Sequence, residues 1–230
     1  MAIFTPGPAV AGVSGSVGGT TFSRNRGGPY MRRRAIPSNP SSVYQQTQRA
    51  RIALFSQSWA ALSQAQRLQW ANWAGQNNVV NALGNQITLS GHQAYVRLNS
   101  RLNAAGDTAI DSPPVGAAPA GITTLSATWD IGAGAFALTF TPTPIGAANR
   151  LVVWAVVVNS AGINYVGNLW KQVTISALDQ ATGLDTQSVI ESRFGSLVAD
   201  QHLAIKVAVH DSATGLRSLP TEVAGAVVST

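Results

Sequence analysis

The residues with the densest chemical character in this sequence are arginines set among aromatic rings near its start: Phe22, Arg24, Arg26, Tyr30, Arg32, Arg33 and Arg34. A guanidinium is planar, permanently charged and presents its donors in a fixed fork, which suits bidentate contact with carboxylate or phosphate. Interleaved rings add stacking and apolar area. Such a set can grip nucleic acid through phosphates and bases. It can equally pin a segment into an acidic protein groove or add strands to an exposed sheet edge. Salt separates the two, because phosphate binding weakens steeply as ionic strength rises. A second group, Arg49, Arg51, Trp59, Arg67, Trp70 and Trp73, follows in the stretch that reads as helical and extends the same docking character.

Other chemistry lacks residues to carry it. The series Gly12, Gly15, Gly18 and Gly19 has no Gly-Lys-Ser/Thr after it and no apolar strand before it, so it is not a phosphate loop. The histidines are His92, His202 and His210. His92 falls at a helix start, where it can help capping. His202 and His210 fall on one strand about 26 Å apart and cannot share a metal. His210-Asp211-Ser212 reads as a turn after a strand, since catalytic groups meet through the fold and not as consecutive residues. Asp130, Asp179 and Asp185 sit in turns and form no acid–base pair. The expectation is therefore no enzyme, no cofactor, no metal and no small-molecule substrate. With no cysteine, disulfides are excluded.

Charge separates the chain into two parts. Residues 1–106 hold ten arginines, no lysine and no acid, a net charge of +10. Residues 107–230 hold all nine acids against five basic residues, a net −4. That asymmetry points to a polyanion or an acidic protein surface as partner of the first part. No apolar run reaches the length of a membrane span. Residues 1–10 carry Pro6 and Pro8 and no basic cluster ahead of an apolar stretch, which is not a signal-peptide pattern.

The elements that would position these residues follow from periodicity. Residues 1–37 hold seven glycines and four prolines and form an extended basic arm. Within it, 20–24 and 30–34 alternate around Asn25-Arg26-Gly27-Gly28, a hairpin with a loop longer than two residues that brings Phe22 and Tyr30 together. Residues 38–105 form a helical docking segment of three helices. The first starts at Asn39-Pro40 and carries the stripe Ile52, Phe55, Trp59 and Leu62. The second opens with the Ser63/Gln66 capping box and stops at Gly75; the third opens with Ser90/Gln93 and ends near Gly106. Residues 76–89 read as loop, and 106–121 as a Pro/Gly/Ala linker. From 122 to 230 the period changes to two. Strands are expected at 122–129, 135–141, 150–159, 164–169, 172–177, 203–209 and 222–229, with a helical turn at 188–194. The fold class is thus mainly β with a small α segment: arm, helical cluster and a C-terminal β-sandwich.

The run from Val17-Gly18-Gly19-Thr20-Thr21-Phe22 through Tyr30-Met31-Arg32, continuing over Pro37-Ser38-Asn39-Pro40, Gln45, Arg49, Trp59, Leu62, Gln66-Arg67 and Trp70, resembles uncharacterised proteins encoded among the structural genes of tailed bacteriophages. The ending Ser218-Leu219-Pro220-Thr221-Glu222-Val223 resembles the last strand of an Ig-like or fibronectin type III-like domain. These resemblances imply a virion component made in the host cytoplasm, an accessory head protein of the decoration or minor capsid type. Its partners would be capsid or connector proteins, in a homo-oligomeric or lattice-associated arrangement. The alternatives are a head–tail connector or tail protein and, in another class, a nucleic-acid-binding protein whose arm contacts packaged DNA.

Overall fold

The computed structural model describes residues 2–5, 7–8, 10, 12–35, 39, 41–81, 84–131, 136–160, 162–163, 166–167 and 169–228. The chain forms two compact units. The first comprises residues 1–100 and 109–113, the second residues 101–108 and 114–230. With 26% helix and 33% strand the fold is mixed, and helices are a larger share than a small α segment implies.

In the first unit the expected hairpin is formed by β3 (Thr20–Asn25) and β4 (Gly28–Arg33). Its loop is two residues, Arg26-Gly27, shorter than the sequence suggests, because Asn25 pairs directly with Gly28. Gly28 has φ 107°, a conformation that side chains rarely adopt. Asn25 Oδ1 accepts from the Gly27 N–H at 2.9 Å and closes the turn. β1 (Ala2–Ile3) pairs with β4 and β2 (Gly15–Val17) with β3, so the arm is an antiparallel sheet of order β1-β4-β3-β2. Two and three residues are too few for alternation to register, so these edge strands leave no mark in the sequence pattern. No described residue before Phe55 is buried.

The helices α1 (Val43–Ala61), α2 (Gln64–Gln76) and α3 (Gly91–Ala105) follow. α1 starts later than Asn39-Pro40 suggests: Ser42 is its N-cap, while Asn39 accepts from Arg49 Nη1 at 2.7 Å. Pro40 lies outside the described residues. Of the apolar stripe, Phe55 and Leu62 are buried, Trp59 is half-buried and Ile52 is exposed at the margin. The Ser63/Gln66 capping box forms, and α2 runs one residue past Gly75 to be closed by Asn77. Ser90 and Gln93 exchange the same pair of bonds, at 2.9 and 3.2 Å, ahead of α3. Part of the expected 76–89 loop is a small hairpin, β5 (Val79–Val80) with β6 (Gln86–Ile87).

The helical core centres on Tyr95, whose ring meets Phe55, Trp59 and Trp70 at centroid distances of 6.4, 5.5 and 5.4 Å. Burial, then the negative charge of Asp111, push the Tyr95 phenol up; a hydrogen bond with Ser58 acts the other way. Gly91 is required where α3 meets α2, since a Cβ there would lie 2.8 Å from the Ala71 backbone nitrogen. His92 does not cap: its ring packs on Trp59 at 5.6 Å.

The second unit holds β7 (Thr124–Ala127), β8 (Ala137–Thr141), β9 (Asn149–Val158), β10 (Lys171–Leu178), β11 (Leu184–Asp185), α4 (Gln187–Phe194), β12 (His202–Asp211) and β13 (Thr221–Ala226). One antiparallel sheet has the order β10-β9-β12-β13, the other β11-β8-β7. Both contribute to one core: Leu138 and Phe140 from the smaller sheet, Leu151, Val153, Ile205 and Val207 from the larger. β9 is apolar on both faces because it is central: Val152 and Val156 point away from that core yet are buried. The strand expected at 164–169 does not form at described residues 166, 167 and 169; Asn164, Tyr165 and Asn168 lie outside the described set. Ala135 and Ser229, at the ends of two other expected strands, also lie outside it. Apolar and aromatic residues suit a strand, but a strand also needs a neighbouring edge to pair with.

The expected linker is not free along its length. Residues 101–108 belong to the second unit and 109–113 to the first. The buried Asn99 side chain brackets Ile110, accepting from its N–H at 2.7 Å and donating to its carbonyl at 3.0 Å. Trp70 Nε1 donates to the Asp111 carbonyl at 2.8 Å. Composition alone hides this, because the bonds run to the backbone of the segment and not to its side chains.

Candidate docking surface

Successive residues of a strand face opposite sides, and directly paired residues share a side. Phe22 pairs with Met31, and Ser23 with Tyr30. Phe22 and Tyr30 therefore lie on opposite faces of the sheet, a correction to the expected shared neighbourhood that follows from a one-residue difference in register. The Phe22 face also carries Met31 and Phe4, whose ring meets Phe22 edge-on at 6.1 Å. Arg24, opposite Pro29, and Arg33, opposite Thr20, share it. The Tyr30 face carries Ile3 and Arg32, which are paired with Tyr30 and Thr21. Arg26 sits in the turn, and the Arg34 N–H donates to the Gly19 carbonyl at 2.7 Å just past β4.

All five arm arginines are exposed. With no acid in residues 1–106, no carboxylate of this segment can pair with them. Among the described residues, none of the ion pairs involves them. The arm thus offers permanent positive charge on both faces, interleaved with half-buried rings.

The helical group divides. Trp70 is fully buried and holds the helices together, so it is not open to a partner. Trp73 packs edge-on against Trp70, half-buried, and Trp59 is half-buried against Tyr95. Arg49 is exposed beside Asn39; Arg67 Nη2 donates to the Ala60 carbonyl at 2.6 Å, and Arg51 is half-buried. α1 also exposes apolar residues outside the expected docking set: Val43, Tyr44, Ile52 and Leu54. Which apolar residues of α1 stay exposed depends on the face that the other helices cover, and a helical pattern alone does not fix that face.

A buried charged cluster in the second unit leaves no signature in the sequence, since its members lie far apart along the chain. Asp107 accepts from Arg150 Nε at 3.0 Å and pairs with Arg150 Nη2 at 2.9 Å. His210, fully buried, holds Nε2 at 3.4 Å from Asp107 Oδ2. That approach lacks hydrogen-bond geometry, and among the described residues neither ring nitrogen has a hydrogen-bond partner. Burial, then Arg217, lower the His210 pKa to about 4; Asp107 opposes this and Arg101 adds to it. The imidazole is neutral at pH 7 and structural. His210 and Asp211 are the last residues of β12 and not part of the expected turn, which begins at Ser212; Asp211 accepts from the Ala213 N–H at 2.8 Å. On the same sheet face, a cleft of about 330 Å³ is lined by Val156, Ile163, Trp170, His202, Glu222 and Ala224. Lys206 lies over the Trp170 ring at 4.2 Å and pairs with Glu222 at 3.6 Å, which balances the charge at its rim.

Among the described residues no three histidine, aspartate or glutamate side chains are grouped to hold a metal ion, and no helix is long and apolar enough to cross a membrane. No known protein family, curated protein or solved structure matches this chain.

Proposed function

We propose that this chain is a non-enzymatic structural component of a tailed-phage particle, an accessory head protein of the decoration or minor capsid type. It attaches through the arm sheet and the exposed start of α1, and displays its second unit. One observation carries the reading: a four-stranded sheet with no buried described residue exposes five arginines and has no acid of its own to pair with them. Such a sheet is marginal in water by itself. Contact with a large acidic surface would supply the burial and the counter-charge it lacks. The partner is a shell or connector protein, and the location is the virion.

We read the second unit as an Ig-like or fibronectin type III-like sandwich. In support, its first, second and fifth strands form one sheet, its fourth, third, sixth and seventh strands form the other, and side chains of both meet in one core. The deciding experiment is quantitative mass spectrometry of particles purified from the source, with this chain counted against the main shell protein. A copy number commensurate with the shell lattice supports decoration. A number fitting a single ring moves the protein to the neck or tail. Absence from the particle discards the structural reading.

A further inference from the structure

We infer that the arm sheet is enclosed on both faces, wedged between two acidic protein surfaces of the partner assembly and not laid flat upon one; this rests on the docking role proposed above. A strand that docks by one face concentrates its charge and large apolar groups on that face and leaves the other polar. The arm does not. Phe4, Phe22, Met31, Arg24 and Arg33 share one face, and Ile3, Tyr30 and Arg32 the other. Each face combines an exposed guanidinium with a half-buried ring, and both edges of the sheet carry only short strands. A single flat partner would leave one of these sets in water. Two walls would use both.

Charge complementarity names the chemistry of the walls. Five exposed arginines without a carboxylate in the same segment call for carboxylate-rich surfaces, and arginine without any lysine suits fixed bidentate pairing over diffuse attraction. The Phe4–Phe22–Met31 group favours protein over nucleic acid. Three adjoining apolar side chains beside the arginines, one of them the aliphatic Met31, match mixed apolar and acidic patches, whereas in a nucleic acid only unstacked bases would meet them.

The test rebinds the full-length protein to purified particles depleted of it. One variant reverses charge on the Phe22 face, Arg24→Glu with Arg33→Glu; another reverses it on the Tyr30 face, Arg32→Glu. These side chains are exposed, so circular dichroism should match the parent; Arg→Gln versions replace any variant that misfolds. Enclosure predicts a loss of about tenfold or more in affinity for each face separately, and a roughly multiplicative loss for the two combined. Loss from one face alone overturns enclosure while leaving docking through the arm intact. Loss from neither overturns enclosure and the docking reading together. A random-sequence DNA duplex is the second probe: tight binding to it, weakened by both variants and competing with the particle, overturns the protein walls in favour of nucleic acid.

Discussion

His210 sets a pH dependence that can be worked out from its surroundings. The ring is fully buried, makes no hydrogen bond within the described structure and has a pKa near 4, against about 6.5 for a free imidazole. From about pH 7.5 upward neither the folded nor the unfolded chain holds the proton to any extent, so the group is silent. As pH falls from 6.5 towards 4, the unfolded chain takes up a proton that the folded chain refuses, and stability declines. The slope is about 1.2 kcal/mol per pH unit at its steepest, and the accumulated loss at pH 5 is about 2 kcal/mol. Carboxylates protonating in the same window would add their own terms, so the measurement needs a reference chain.

His210→Leu provides it, since leucine is close in volume and the imidazole donates and accepts nothing there. At pH 7.5 the variant should match the parent to within about 1 kcal/mol. The assay is hydrogen exchange of the slowest amides in β9 and β12 of the intact chain, converted to opening free energies at pH 7.5 and 5.0. The parent should lose about 2 kcal/mol more than the variant between the two conditions. Equal losses would refute the assignment of a neutral, unfavourably protonated His210, and with it the burial argument.

Asp107→Ala should cost the second unit about 3 kcal/mol, because it strands the mostly buried Arg150 side chain without its carboxylate; an effect below about 1 kcal/mol by the same exchange assay contradicts that. Asn99→Ala removes both bonds to Ile110 and should destabilise the first unit by about 2 kcal/mol. Thermolysin should then cleave within residues 106–116 faster than in the parent. Gly225→Ala drives a Cβ into the Trp129 ring, so the second unit should lose about 2 kcal/mol or more, seen as a lower thermal midpoint.

Legibility follows the length over which a pattern repeats. The capping boxes at Ser63/Gln66 and Ser90/Gln93 are local, use fixed spacing and are readable to the residue. β9 and β12 are ten residues each and their apolar pattern is unmistakable. β1 and β2 are too short to show a period, and the Phe22–Tyr30 relation depends on register, which a hairpin sequence fixes only once its loop length is known. The arm arginines are visible as a set, but their division over two faces is not. Asp107, Arg150 and His210 meet only through the fold, and no spacing rule reaches across such distances.

The two units solve different problems, and the charge division follows from that. The second unit has strands long enough to bury both faces of β9 and can shelter the Asp107–Arg150 ion pair beside a neutral His210. The first unit buries its aromatic side chains around Tyr95 and leaves the arm with no core of its own. An acid placed among the arm arginines would pair with them at home, stiffen the sheet and weaken the attraction that a partner surface requires. The absence of any aspartate or glutamate before Asp107 keeps those guanidinium groups uncompensated. Under the proposed function this is the feature that favours attachment: the arm guanidinium groups find their carboxylates on the partner and not within the arm.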